Sequence, residues 1–173
     1  MKDLGVTATK KNFLSKFIYY SIATLLICVL QLSFSFLISI KGVTPDFIVL
    51  LVIWITLYEG KLVGLSSSFL VGLLYDYLSM NVLGVNALTK TIVAYIVGFF
   101  YKENEFWNIL KSNKIFLISF LSIFVHHIIY YLIMINLTET NLWSMYFKYL
   151  IGGTIYTFIF TFLTFFTRIR KFW

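Results

Sequence analysis

Residues 72–90 read "GLLYDYLSMNVLGVNALTK". An apolar run ends here, the chain turns, and a second apolar run begins. Asp76 lies near the end of the first run, and Lys90 lies inside the second. A charged side chain at the centre of a membrane helix costs roughly 2.5–3.5 kcal/mol on insertion scales, so each charge needs a partner or water. Small and polar residues recur around the two at a helical spacing. Gly64, Ser68, Gly72 and Asp76 follow one another at steps of four, as do Asn86, Lys90, Ala94 and Gly98. Residues four apart form a slanting ridge along a helix. Small residues on such ridges let helix backbones approach closely, which is how helices associate in lipid. The stretch therefore reads as the tip of a tightly packed antiparallel hairpin. Folding at "SMNVLG" (79–84) brings the two charges to similar depth. That predicts an Asp76–Lys90 pair with Asn86 as a hydrogen-bonding neighbour. The other reading has Lys90 reaching outward to the interface and Asp76 capping the connection.

Outward from this hairpin the chain keeps the same character. Of its 173 residues, 60% are hydrophobic and 12% charged. A soluble domain carries about 45–50% apolar and about 25% charged residues. The apolar residues also fall into long blocks separated by short polar breaks, the layout of an all-α, polytopic integral membrane protein. The net charge of +7 does not point to nucleic acid, because the basic residues cluster at block ends, where they set orientation. Cys28 is the one cysteine, so neither an intrachain disulfide nor a cysteine zinc site is available. "LLIC" (25–28) suggests a lipoprotein signal, but Ile27 is too large for the cleavage position. The block also runs on to about residue 40, which marks a retained span.

Six apolar segments predict a six-helix bundle: 17–40, 46–58, 62–79, 84–101, 115–136 and 145–167. The second, "DFIVLLVIWITLY", has 13 residues. It reaches about 20 Å against a hydrocarbon core of about 30 Å. It is a short or tilted span inside the bundle, or a re-entrant one. Pro45 stands immediately before it and suits a helix start. With six spans and a cytoplasmic N-terminus, eleven of the fourteen basic residues fall on the inner side. They include Lys2, Lys10, Lys11, Lys16, Lys61, Arg168, Arg170 and Lys171. Lys41 alone falls in an outer connection, with Lys90 and Lys148 inside spans. The organisation is thus a basic cytoplasmic tail (1–16), a transmembrane domain (17–167) and a second basic cytoplasmic tail (168–173). "KENEFWNILKSNK" (102–114) reads as a loop with aromatic anchors, or else as a short interfacial helix.

The remaining polar residues point to packing. Thr24, Cys28, Gln31, Ser35 and Ser39 form a stripe in the first segment, and Gly153, Thr157, Thr161 and Thr164 form one in the last. Adjacent helical residues point about 100° apart, so His126 and His127 do not face one metal. His126 aligns with Ser119, Ser122 and Tyr130, a pattern that suits interhelical hydrogen bonding. Asp46 and Glu59 sit at the ends of the second segment, where water is expected to reach them. "NLT" (136–138) matches a glycosylation triplet that recurs by chance. No phosphate loop, zinc-protease motif or nucleophile triad is present. The reading is a protein without catalytic, cofactor or metal residues.

The central stretch carries a resemblance. Pro45 and Asp46 open it, and Gly64 follows in the next short loop region. "GLLYD" (72–76), Leu83–Gly84 after the turn, "NAL" (86–88), Tyr95 and Gly98 complete it. In order and spacing this resembles the bacterial rod shape-determining protein MreD family, over about a third of the chain (45–100). The resemblance implies a small inner-membrane bundle similar in fold to the substrate-binding subunits of energy-coupling-factor transporters. It also implies a non-enzymatic place in the cell-elongation machinery. There the family binds the single-pass protein MreC and links MreB filaments to the synthases RodA and a penicillin-binding protein. Carried onto this chain, the pattern points to Pro45, Asp46, Gly72, Asp76 and Gly84. Lys90 departs from it, since an apolar or small residue is usual there.

Two functions compete. In the first, the ridges of Gly64, Ser68, Gly72, Ala94 and Gly98 pack a scaffold, an outer groove receives a partner helix, and the chain itself is able to pair as a homodimer. In the second, the chain is the solute-binding subunit of an energy-coupling-factor transporter. Such subunits carry an Ala-x-x-x-Ala motif in the first helix, and this first span has only Ala23. A proton- or metal-handling enzyme built on His126, His127 and Asp76 ranks below both.

Overall fold

A computed structural model describes the backbone of residues 3–103, 105–138 and 143–170. Side chains are described over 15–136 and 146–167, apart from Phe17 and Asn104. Seven helices and no strand occur among the described residues. They are α1 (Asp3–Phe34), α2 (Phe47–Glu59), α3 (Lys61–Leu78), α4 (Val85–Gly98), α5 (Phe106–Lys111), α6 (Lys114–Thr138) and α7 (Trp143–Arg170). Each of the six apolar segments holds one helix. Two stretches, Lys114–Asn136 and Tyr146–Thr167, are long and apolar enough to cross a membrane by length and composition.

The short helix lies at the centre. α2 packs against α1, α3, α4 and α7. Its buried residues Ile48, Val49, Leu51, Val52, Ile53, Ile55, Thr56 and Leu57 fall on every side of the helix. A helix that is apolar all round belongs in an interior, and 13 residues make a core strut of about 20 Å. Val49, Val52, Ile53 and Leu57 join Val93, Ala94 and Val97 of α4 and Ile115, Ile118 and Ile123 of α6 in the main core.

The expected α3–α4 hairpin is the most extensive helix pair in the bundle. A Cβ added at Gly72 would stand 2.5 Å from the Ala87 Cα and 2.7 Å from the Asn86 carbonyl oxygen. Both are backbone atoms that cannot turn aside, so only glycine allows this approach. Gly98 closes the other end of the hairpin against the Lys61 side chain. Gly64 departs from the hairpin expectation. It faces Thr56 of α2, with 2.5 Å available to a Cβ, so the α3 ridge serves two neighbours. Ser68 is buried on the same ridge, its hydroxyl bonded to the Leu65 carbonyl.

Three boundaries differ from the sequence reading. The first apolar segment runs to about residue 40, but α1 stops at Phe34. Turns follow, then Lys41 and Gly42 in the left-handed region (φ 53° and 83°), and a single bridge between Ile40 and Val43. Apolarity marks what lies in hydrocarbon, and an apolar turn leaves no trace in it. At its other end α1 begins at Asp3, so the backbone is already helical through most of the segment read as a tail. The 102–114 connection, read as a loop or else a short helix, contains the helix α5. Phe106 and Leu110, one turn apart, are buried in the main core. Phe106 meets Trp54 edge-on at 5.2 Å and Tyr58 at 5.0 Å, so one face of this helix packs into the core. The side chains of Lys2, Lys10, Lys11, Arg168, Arg170 and Lys171, and the "NLT" triplet beyond Asn136, lie outside the described residues.

Candidate functional site

Two helices begin in the bundle interior, and each brings backbone N–H groups that need acceptors. α2 is capped by its own preceding residue. Asp46 Oδ1 accepts from the N–H of Ile48 at 2.9 Å and of Val49 at 3.0 Å. Pro45, expected in the first turn, stands one residue outside it, before this cap. α4 cannot do the same, because its cap position is Gly84, held at φ 96° with no side chain to offer. Asp76, near the end of α3, supplies the acceptor from across the hairpin. Its Oδ2 takes the N–H of Gly84 at 2.9 Å, Asn86 at 3.1 Å and Ala87 at 3.3 Å. Its Oδ1 takes the Asn86 amide at 2.7 Å. Carboxylates are favoured at helix N-termini, where the backbone dipole is positive. A fully buried Asp76 is therefore stabilised mainly by backbone and not by a cation.

The Asp76–Lys90 ion pair expected from the sequence is not formed. Asp76 is saturated by the start of α4, and the Lys90 ammonium points to the other cap. It lies 3.0 Å from Asp46 Oδ2 and donates to Asn86 Oδ1 at 2.6 Å. The Tyr75 ring lies 5.3 Å from it, so the three N–H groups have two oxygens and an aromatic face. Asn86 is the bridge, since its amide binds Asp76 while its carbonyl binds Lys90. The alternative in which Lys90 reaches outward fails as well, because its side chain is fully buried.

Asp46, expected where water reaches it, has a side chain only 16% exposed and joins more helices than any other residue of the site. Besides Lys90, its Oδ2 lies 3.3 Å from His126 Nε2 of α6. Its backbone N–H donates to Thr157 Oγ1 of α7 at 3.0 Å. Gln31 of α1 grips the residues on either side, donating to the Pro45 carbonyl at 2.7 Å and accepting from the Phe47 N–H at 2.9 Å. One connected polar cluster thus ties α1, α2, α3, α4, α6 and α7 together. The sequence reading had Asp46, Asp76, Asn86 and Lys90 among its site candidates and used His126 for chemistry only in the enzyme reading it ranked last, while Gln31 and Thr157 were in neither. It took Gln31, His126 and Thr157 as members of polar stripes, and a glutamine in mid-hydrocarbon was the available signal.

The cluster has one unsatisfied margin. Ser119 Oγ, Ser122 Oγ and His126 Nδ1 are buried without a hydrogen-bond partner among the described residues. His127 faces another way, with its Nδ1 3.1 Å from the Ile123 carbonyl oxygen and 3.3 Å from Thr154 Oγ1. No group of three or more His, Cys, Asp or Glu able to hold a metal occurs among the described residues. Chemically, the arrangement pairs one carboxylate with the lysine, caps two helix N-termini and fixes helix positions.

A family model described as rod shape-determining protein MreD matches residues 11–169. No curated protein and no solved structure matches the chain.

Proposed function

The chain belongs to the MreD family of rod shape-determining membrane proteins, and from that premise we propose that it is a non-enzymatic, multi-pass scaffold of the cell-elongation complex. In this reading it lies in the bacterial inner membrane as a bundle of six membrane segments, the second one short, with both termini cytoplasmic. It holds an MreC-type single-pass partner and so helps couple MreB filaments to wall synthesis by RodA and a penicillin-binding protein. Pro45, Asp46, Gly64, Ser68, Gly72, Asp76, Gly84, Asn86, Lys90 and Gly98 then serve assembly, by fixing the helices whose outer faces meet a partner or a second copy of the chain. The observation that carries this reading is where the interior charges go. Asp46, Lys90, Asn86 and Asp76 are spent on one another and on helix N-termini. A solute site needs polar groups converging on open space, whereas the pocket beside α2 is walled by apolar side chains. This counts against the alternative, a solute-binding subunit of an energy-coupling-factor transporter.

The test is a mild-detergent pull-down of the tagged chain from its host, with the co-purifying proteins identified by mass spectrometry. A single-pass protein with a large extracytoplasmic domain, accompanied by wall synthases, is expected. Paired ATPases with a transmembrane coupling subunit would overturn the scaffold reading. Asp76→Ala separates the two further. It should loosen the assembly in the first case and abolish uptake of a solute in the second.

A further inference from the structure

α1 and α7 flank α2 without packing extensively against each other. The gap between them is a furrow of about 520 Å³. Leu30 and Phe34 form one wall, Phe160 the other, Leu50 and Trp54 the floor, and Ile38 lies at one end. Apart from the Trp54 indole, the only polar side chain in the lining is Thr164. Its hydroxyl is already bonded within its own helix, to the carbonyls of Phe160 and Thr161. Nothing here recognises a polar solute, but hydrocarbon fits.

The Ile38 end carries charge. Tyr156 of α7 bonds to the Ile38 carbonyl and pins the 35–43 turn beside the furrow. Three residues on is Lys41, exposed, and its carbonyl accepts from the Lys148 ammonium at 2.9 Å. No carboxylate among the described residues pairs with either lysine. Two lysines with no carboxylate partner among the described residues thus stand near one end of an almost entirely apolar furrow inside a membrane protein. From this complementarity we infer that the furrow is a binding site for one anionic phospholipid, with an acyl chain along Leu30, Leu50 and Trp54 and the phosphate at Lys41 and Lys148. A protein helix suits it less. Close helix packing in lipid uses small residues that admit a second backbone, and these walls are leucine, phenylalanine and tryptophan. A thin, flexible chain is what fits between them.

Trp54 makes the site observable. The substitutions Trp107→Phe, Trp143→Phe and Trp173→Phe leave it as the sole tryptophan. The protein is reconstituted in phosphatidylcholine vesicles with increasing phosphatidylglycerol brominated at mid-chain, and brominated phosphatidylcholine serves as the control. The expected result is quenching that saturates at a few mole per cent of the anionic lipid, far below the fraction needed for the control. Lys41→Gln with Lys148→Gln should raise the half-quenching fraction about 30-fold. Each lysine beside an anionic surface contributes about 1 kcal/mol, and about 1.4 kcal/mol is tenfold. Quenching that rises in proportion to bromolipid, equally for both headgroups, would overturn the site and leave only bulk lipid. So would quenching that the double substitution leaves unchanged. Loss of quenching when a purified membrane partner is added, without headgroup preference, would assign the furrow to a protein instead.

Discussion

The cap of α2 and one of its flanks meet opposite solutions to burial. Around Asp46 the interior is polar and closed, and each carboxylate and the lysine are matched to a backbone N–H, an amide or each other. Toward Trp54 one flank is apolar and open, walled by large side chains that touch but do not fill the gap. Polar groups out of water are costly unless every one finds a partner, so the polar end has few alternative arrangements. The apolar flank has no such demand, because lipid is as good a neighbour as leucine. Fixed geometry and an adaptable surface therefore come from one 13-residue helix. Cutting into the polar end should cost stability, and cutting into the flank should not.

The largest loss is expected from Lys90→Met. It strips Asp46 of its only lysine partner within a buried site, and breaking such a pair costs about 3 kcal/mol. Unfolding in mild detergent, followed by tryptophan fluorescence, reads it. Adding Asp46→Asn should recover at least half, since the unpaired charge is then gone while an oxygen remains to cap α2. A double variant no more stable than the single one would mean that the ion pair is not the tie between α2 and α4.

Asp76→Ala comes next, at about 2 kcal/mol, because three N–H groups at the start of α4 lose their acceptor at once. Asp76→Asn should cost less, since one oxygen still faces those donors. Equal losses would show that the charge matters more than the cap. Gly72→Ala should cost about 1–2 kcal/mol through the contact with the Ala87 backbone. The same measurement on Gly98→Ala should give somewhat less, because the atoms it meets, Lys61 Cγ at 2.7 Å and Cβ at 3.0 Å, are side chain and not backbone.

How much of this was legible in the sequence depended on the kind of signal. The α3–α4 hairpin was readable because the four-residue spacing of Gly64, Ser68, Gly72 and Asp76 is a geometric statement about one helix. The partner of Lys90 was not, because pairing depends on how separate helices are rotated, and spacing within one segment does not set that. Asp46 lies 44 positions from Lys90 and 80 from His126, and nothing local hints at either contact. The end of α1 was hidden for a different reason. Phe36, Leu37 and Ile40 are as apolar as the helix before them, so the turn became visible only through backbone angles. α5 was legible only as one of two readings, because its short length and flanking charges suit a loop as well, although Phe106 and Leu110 carried the spacing of a buried face.

The smallest effect tests the other half of the comparison. Leu30 lines the furrow and is 47% exposed in the isolated chain. Truncating a core leucine leaves a cavity and costs about 2–5 kcal/mol. At Leu30 the space is already open, and lipid is able to fill in behind the retreating side chain. Leu30→Ala should therefore stay within about 0.5 kcal/mol of the parent in the same detergent unfolding measurement. A core-sized loss would mean that the furrow closes around its own walls in the membrane. α1 and α7 would then grip α2 as tightly along this flank as the polar cluster does at its beginning, and the contrast between the two regions would disappear.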